Sequence, residues 1–168
     1  MIPRVLGVVG WSGSGKTALL VAILPLLRQA GLRVSTIKHA HHGFDMDRPG
    51  KDSYRHREAG AHEVLVASSG RWALLHELEG PEPTLPDLLT RLEPVDLVLV
   101  EGFKSHPFPK LEVFRADLGK PPIWETEPDV IAVATDTTPP IGDRALLPLN
   151  APEIVATWVR NYVRAEMA

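Results

Sequence analysis

Apolar runs of strand length alternate with helix-like stretches in the N-terminal part of this chain. Val5–Val9 is a continuous apolar run, Thr17–Ala30 spaces its apolar residues as a helix does, and Leu32–Lys38 returns to a strand-like pattern. Gly31 is placed to end the helix in a left-handed conformation. Pro25 lies inside the helical stretch, where we expect a kink. The pattern predicts the start of a βαβ unit.

The middle of the chain is less regular. Its clearest signal is Ser69-Gly70 between two strand-like runs, which predicts a tight antiparallel hairpin. The predicted elements of this part are a helix over Tyr54–Ala61, strands over Val64–Ser68 and Arg71–Leu75, and a short helix from its N-cap Thr84 to about Leu92.

The C-terminal part contains the most apolar strand, Val95–Val100, of the kind that is buried on both faces of a parallel sheet. Asn150 precedes a proline and an acidic residue, a pattern that opens a helix with Asn150 as its cap. The other predicted elements are strands over Leu111–Phe114 and Val130–Ala134 and a terminal helix through Arg164.

The turn between the first strand and the first helix has the spacing G-x-x-x-x-G-K-[ST] of a phosphate-binding P-loop. Its glycines allow successive backbone N–H groups and the helix N-terminus to face one anion. Lys16 would then reach the β- and γ-phosphates of a nucleotide, and the Thr17 hydroxyl would hold Mg²⁺. The predicted binding residues are Gly10, Ser12, Gly13, Ser14, Gly15, Lys16 and Thr17.

A P-loop site usually takes an acidic partner from the carboxyl end of a neighbouring strand, and Glu101 directly follows Val95–Val100. Asp96 is excluded because it lies about 16 Å back along an extended strand. We therefore predict Glu101 as the second metal-site and catalytic residue beside Lys16. Gly102 after it is consistent with a sharp turn.

These elements predict an α/β protein with a three-layer α/β/α P-loop NTPase fold. Its sheet is expected to be mostly parallel, with the antiparallel hairpin making it mixed. The length of 168 residues favours a single domain over residues 1–168.

Composition narrows the classes of partner. The formal charge of −3 gives no basic field for nonspecific nucleic-acid binding, and the absence of cysteine excludes disulfides and thiolate metal sites. No apolar run approaches the length of a membrane span, and no signal peptide fits before the first strand. We expect a cytoplasmic protein that binds neither nucleic acid nor membrane.

The polar loop after the second strand gathers histidines and aspartates at a strand carboxyl end, where this fold class binds its ligands. Three interpretations stay open: a transition-metal site, a Mg²⁺ and phosphate site, or a polar surface loop. The residues concerned are His39, His41 and His42 for the first interpretation, and Asp45, Asp47, Asp52, Arg48 and Lys51 for the second.

Together these motifs resemble the molybdopterin-guanine dinucleotide biosynthesis protein B family, over most of the chain. The most specific segment is I-K-H-A-H-H-G-F-D-M-D-R-P-G-K-D-S-Y at residues 37–54. The resemblance also rests on the P-loop G-W-S-G-S-G-K-T, on A-G-A at 59–61, on Arg71-Trp72-Ala73 and on D-L-V-L-V-E-G-F-K at 96–104.

The resemblance implies a GTP-binding homodimer with weak hydrolysis. It also implies an accessory role to the guanylyltransferase that joins a GMP moiety to molybdopterin, giving the guanine dinucleotide form of the molybdenum cofactor. Gly13, Gly15, Lys16 and Thr17 are then phosphate and Mg²⁺ residues, and Glu101 is the acidic site. Asp45 and Asp52 are further candidates for the metal.

The guanine signature N-K-x-D of many GTPases is missing, so the preference for GTP rests on the resemblance. Asp136, beyond the Val130–Ala134 strand, is the nearest candidate for reading the base. Its carboxylate could accept hydrogen bonds from guanine N1–H and N2–H₂, which adenine lacks. An aspartate in an ordinary strand-to-loop turn is the alternative.

Two other functional classes share these features. A small-molecule P-loop kinase would use the same fold, with Arg48, Arg55 and Arg57 as the only clustered arginines near the loop. A metallochaperone NTPase would use His39, His41 and His42.

Overall fold

The computed structural model describes residues 3–40, 43–104 and 106–165. Contacts between Cα atoms divide the chain into two compact units, a larger one formed by Met1–His39 with Leu88–Ala168 and a smaller one formed by Ala40–Asp87. The single domain expected from the length therefore stays a prediction.

The larger unit is built on parallel strands connected by helices. Its elements are β1 (Arg4–Val9), α1 (Lys16–Gln29), β2 (Val34–Lys38), β5 (Leu97–Glu101), β6 (Lys110–Phe114), β7 (Val130–Thr135), β8 (Ala145–Pro148), α4 (Pro152–Arg164) and two single-turn 3₁₀ helices at Ala116–Leu118 and Ile123–Glu125. The smaller unit contains α2 (Asp52–Glu58), β3 (Glu63–Ala67) and β4 (Trp72–His76), and α3 (Leu85–Thr90) spans the boundary.

The main sheet has six strands in the order β2-β5-β1-β6-β7-β8, and every pairing in it is parallel. The predicted hairpin is confirmed, because β3 and β4 pair antiparallel across a short turn. It forms a separate two-stranded sheet, however, so the expected mixed sheet is wrong. Alternation along the sequence shows that two neighbouring strands pair, but it carries no information on whether their outer edges join another sheet.

Helices α1 and α4 cover one face of the main sheet. Leu6 and Val8 of β1 point to this face, where they pack with Ile23 and Val159 of the two helices in one buried cluster. Because side chains alternate along a strand, Val9 points to the other face and packs with Ile123 and Trp124. Both faces of β1 are therefore buried.

The structure confirms the helix-end residues predicted at Gly31 and Thr84. Gly31 has a φ of +86°, and Leu32 N–H bonds to Leu27 O at 3.1 Å, so the left-handed stop of α1 is confirmed. The helix continues through Pro25. Thr84 is confirmed as a cap, since its Oγ1 accepts from Asp87 N–H at 3.4 Å, and Asp87 Oδ2 in turn accepts from Thr84 N–H at 2.9 Å.

The predicted cap of the last helix is wrong by one residue. Ala151 is the N-cap of α4 and makes no side-chain capping bond, whereas Pro152 does occupy the first turn as predicted. Backbone geometry at Pro152 sets the start of this helix, and the Asn150 side chain is not used as a cap. Strand β8 was not predicted, because four residues with one buried side chain give no clear alternation.

Candidate functional site

The loop between β1 and α1 requires glycine at Gly10. This residue has a φ of +150°, and a Cβ built on it would lie 2.5 Å from Val113 O and 2.6 Å from Ser14 Oγ. A side chain at this position would collide with the backbone of β6. The chain can therefore turn directly from the end of β1 into the N-terminus of α1, as a phosphate-binding loop must.

Lys16 lies over this loop. Its Nζ donates to Gly10 O and to Trp11 O, at 3.0 Å each. Burial lowers the pKa of Lys16, Lys104 and Lys38 lower it further, and Glu101 opposes them. An anion in the loop would favour the charged ammonium, so the Lys16 site is electrostatically suited to phosphate.

Thr17 and Glu101 are brought together as predicted. Thr17 Oγ1 lies 3.4 Å and 3.5 Å from the two carboxylate oxygens of Glu101. Lys38 Nζ lies 3.9 Å from Glu101 Oε1, because Lys38 and Glu101 are register partners in the β2–β5 pair. A hydroxyl and a carboxylate are oxygen donors of the kind Mg²⁺ prefers, so the donor set fits this ion.

A strained turn fixes the position of Glu101. Gly102 has a φ of +110°, and a Cβ on it would lie 2.6 Å from His39 Cβ. Phe103 follows with a φ of +50°, the only positive value outside glycine in the described residues. His39 donates its backbone N–H to Glu101 O at 2.8 Å, and its ring lies 4.7 Å from the Phe103 ring. The turn predicted after Glu101 is confirmed, and His39 is part of its packing.

Trp11 is anchored within the P-loop. Its Nε1–H donates to Pro121 O at 2.7 Å, which fixes the ring. Lys104 Nζ and Lys120 Nζ lie 4.9 Å and 5.8 Å from the ring centroid. The ring therefore has two cations beside it, within the range of cation–π attraction.

Arg115 is a site residue that the sequence analysis missed. It directly follows β6, its Nε donates to Ser14 O at 3.2 Å, and its guanidinium bonds to Asp136 Oδ2 at 2.6 Å. The signal that could have found it is its position at a strand carboxyl end. That signal needs the strand order, which places β6 between β1 and β7.

Asp136 directly follows β7 and lines a cavity of about 340 Å³. The other lining residues come from the end of β7 and the loop after it, and from β8 and the residues after it: Thr135, Thr137, Thr138, Leu146, Leu147, Pro148, Leu149 and Asn150. Three-quarters of the Asp136 side chain is buried. The carboxylate predicted to read a base therefore lies at the wall of a cavity, in an ion pair with Arg115.

The aspartates of the polar loop belong to the smaller unit. Arg57 lies 2.7 Å from Asp45 Oδ2 and 3.4 Å from Glu77 Oε1, and its hydrogen bond lowers the pKa of Asp45. Asp52 opens α2, in whose first turn an acidic side chain is favourable. A part for Asp45 and Asp52 in metal binding stays a prediction.

The histidine interpretation stays a prediction as well, since His41 and His42 lie outside the described residues. Over residues 3–40, 43–104 and 106–165, no three or more His, Cys, Asp or Glu side chains form a group that could hold a metal ion. Within the same ranges, no helix has the length and apolar character needed to cross a membrane.

A parallel sheet with a glycine-rich loop after its central strand, a lysine over that loop and a Thr–Glu pair beside it define a P-loop NTPase-like α/β protein. The comparisons with known proteins give the family. The model of the family described as "Molybdopterin guanine dinucleotide synthesis protein B" matches residues 5–136. The chain belongs to this family, MobB, and the predicted resemblance is confirmed.

Relatives and solved structures agree with this assignment. The molybdopterin-guanine dinucleotide biosynthesis adapter proteins of Haemophilus influenzae and Escherichia coli are each 43% identical to the chain, over 94% and 99% of it and over 88% and 96% of their own lengths. A crystal structure of molybdopterin-guanine biosynthesis protein B has a TM-score of 0.75 at 27% identity, covering 94% of this chain and 99% of that one. A MobB homologue from Bacillus stearothermophilus has a TM-score of 0.70 at 27% identity, covering 96% and 99%.

Proposed function

We propose that this chain is a GTP-binding adapter in the biosynthesis of molybdopterin guanine dinucleotide. In this role it assists the guanylyltransferase that converts molybdopterin to its guanine dinucleotide form. The observation that carries the nucleotide part is the meeting of Lys16, Thr17 and Glu101 at one P-loop. The names of the relatives support the adapter part. We expect the protein to act in the cytoplasm.

In this proposal Mg²⁺ is held by the Thr17 hydroxyl and by Glu101, directly or through water. The ion supplies charge neutralisation at the β- and γ-phosphates of GTP. Lys16 leaves the Gly10 and Trp11 carbonyls and bonds to the same phosphates. The backbone N–H groups from Gly13 to Thr17 hold the phosphate oxygens.

Asp136 reads the guanine base in this proposal. Guanine offers N1–H and N2–H₂ to a carboxylate, whereas adenine has neither donor at the corresponding positions. The cavity beside Asp136 supports this role, since Leu146 and Pro148, which share one face of β8, provide an apolar surface on which a flat ring could pack. GTP preference then depends on one charged group.

We expect hydrolysis by the isolated protein to be slow. Efficient P-loop GTPases position a water and place an arginine at the transferring phosphate, which together contribute about 10³- to 10⁵-fold in rate. Arg115 is bonded to Asp136, and Arg57 is paired with Asp45 and Glu77. Turnover should rise when the guanylyltransferase is added, and the rise should depend on Arg48, Arg55 or Arg57. A purified chain that turns over at tens per second would contradict the adapter role.

The proposal also includes a homodimer formed through the β3–β4 hairpin. Leu65, Leu74 and Trp72 share one face of this hairpin, where their exposed fractions are 60%, 41% and 64%. A two-stranded sheet with an uncovered apolar face is marginally stable in water, so a covering partner would stabilise it. A second copy of the chain is the occupant we propose.

The test of the adapter role is a pull-down with the purified guanylyltransferase, with GTP and Mg²⁺ present or omitted. We expect capture to increase with GTP for the wild-type chain and to stay at its nucleotide-free level for Lys16→Ala. If the same amount of guanylyltransferase is captured with and without GTP, a nucleotide-dependent adapter role is contradicted. Transfer of labelled phosphate from GTP to a pterin alcohol by the chain alone would favour the kinase alternative.

A further inference from the structure

Arg115 connects two parts of the candidate site that are far apart in sequence. In the main sheet β6 lies between β1, which leads into the P-loop, and β7, which leads to Asp136. Phe114 is the register partner of Thr135, so the next residues along the two strands, Arg115 and Asp136, leave the sheet side by side. The side chain of Arg115 can therefore reach both neighbouring loops.

The guanidinium makes one bond to each side. Nε donates to Ser14 O at 3.2 Å, and NH1 bonds to Asp136 Oδ2 at 2.6 Å. Guanidinium donors have a fixed planar geometry, so holding one acceptor orients the other. The guanidinium nitrogens also lie 3.9 Å from the point where a Cβ on Gly15 would stand. Arg115 is thus in contact with the phosphate-binding loop itself.

The side chains of this pair are less exposed than those of an ordinary surface ion pair. The exposed fractions are 37% for Arg115 and 25% for Asp136, whereas the Arg33–Glu93 pair elsewhere in the same unit has 66% and 81%. The bond engages Oδ2 of Asp136, and no other hydrogen bond to this carboxylate occurs among the described residues. Its second oxygen, Oδ1, can therefore accept from a ligand while Arg115 holds the first.

We infer that Arg115 is a positioning residue for base recognition, holding the Asp136 carboxylate at the cavity wall and tying it to the P-loop at Ser14. This inference rests on the proposed reading of guanine by Asp136. It adds that discrimination between bases depends on a residue that need not touch the base.

The experiment measures equilibrium binding of GTP, ITP, ATP and inorganic pyrophosphate to the wild-type chain and to Arg115→Ala. ITP lacks the 2-amino group of guanine, so the GTP-to-ITP affinity ratio reports how well the carboxylate is aligned. We expect this ratio to fall about five- to tenfold in Arg115→Ala. Pyrophosphate affinity should change by less than about twofold, because the P-loop N–H groups remain. If GTP and pyrophosphate lose affinity equally, Arg115 only supports the phosphate-binding loop, and the inference is overturned.

The variant Asp136→Asn, which should change the base that the site prefers, gives a measurement that a purely structural role of Arg115 would not affect. In Asp136→Asn the amide oxygen can still accept from Arg115, and the amide N–H₂ can donate to the C2 carbonyl of xanthine. This variant should prefer XTP to GTP, and adding Arg115→Ala should abolish the preference. A preserved XTP preference in the double variant would overturn the inference.

Three controls separate the possible failures. Arg33→Ala removes an arginine from the exposed pair and should leave every ratio unchanged. Arg115→Lys keeps the positive charge, on a single nitrogen, and should retain part of the wild-type GTP-to-ITP affinity ratio. If Arg115→Ala does not fold, this variant still tests the inference. A wild-type chain that binds GTP, ITP and ATP equally would contradict the guanine site itself. Discrimination that survives every Arg115 variant would contradict only this inference.

Discussion

The two compact units bury their apolar residues to different extents. Strands β1, β5 and β7 of the larger unit are almost completely buried, and the candidate site lies at their carboxyl ends. In the smaller unit the buried apolar residues are Val64 and Leu85. Among the residues that the structure describes, seven of the ten exposed large apolar side chains belong to that unit: Phe44, Met46, Leu65, Val66, Trp72, Leu74 and Leu78.

This difference indicates a division of roles. The larger unit has enough buried apolar side chains to hold a strained, charged site at the carboxyl ends of its strands. The smaller unit leaves an apolar hairpin face uncovered, at a free-energy cost that association would remove. Ligand binding and association should therefore respond to different substitutions.

The largest expected effect is that of Lys16→Ala in the larger unit. Loss of its charge-assisted contacts to phosphate should weaken GTP binding by about 100-fold or more. Calorimetric titration measures the affinity, and circular dichroism should show an unchanged fold. Arg28→Ala, at an exposed basic residue in the last turn of α1 and so at the opposite end of that helix from Lys16, is the matched control and should bind GTP normally. Unchanged affinity in Lys16→Ala would contradict the P-loop assignment.

The double substitution Trp72→Ser with Leu74→Ser should act on association alone. It removes two apolar side chains from one hairpin face, so we expect the dimer dissociation constant to rise by about 10- to 100-fold. Sedimentation measures the assembly state, and GTP affinity should be preserved. Val21→Ser changes a side chain of α1 that is 67% exposed, and this control should remain dimeric. A dimer that resists the hairpin substitutions must use another surface.

Glu101→Gln should weaken Mg²⁺-dependent GTP binding by about tenfold and spare binding without Mg²⁺. The amide keeps the size of the side chain but loses the charge that attracts the cation. Titrations with Mg²⁺ and with a chelator measure the two affinities. If both fall equally, Glu101 supports the loop and has no part in holding the metal.

The sequence was sufficient for features that depend on local spacing. The P-loop and the Thr17–Glu101 meeting could be predicted because a motif and a strand end define them. Arg115 could not, since its role depends on β6 lying between β1 and β7, and strand order is a property of the folded chain. For the same reason the ion pair of Asp136 was not foreseen, and neither was the separate sheet of the hairpin.

The smallest expected effect concerns the interior of the larger unit. Glu112 is fully buried and accepts hydrogen bonds from Ile123 N–H at 2.9 Å and Trp124 N–H at 2.9 Å. Burial raises the pKa of Glu112 above its ordinary 4.5, and the two N–H groups oppose the shift. The native state then binds more protons than the unfolded state between the two pKa values, so stability falls as pH rises through the folded-state pKa.

Glu112→Gln should remove this pH dependence. Denaturant unfolding from about pH 4.5 upward measures the free energy of unfolding of both proteins. The wild-type chain should lose stability relative to Glu112→Gln as the pH rises, because only wild type must bury a charge. If the difference in the free energy of unfolding between the two proteins stays constant over the whole pH range, a raised pKa for Glu112 is contradicted.

Competition between GTP and ATP is the sharpest test of the claim that the P-loop of the larger unit binds a guanine nucleotide. Trp11 lies beside Lys104 and Lys120, which are close enough to the loop to respond to phosphate, so its fluorescence should change on binding. With Mg²⁺ present, and with Trp11→Phe to identify the signal, GTP should displace ATP at concentrations at least about tenfold lower. Equal competition by the two nucleotides would contradict the claim.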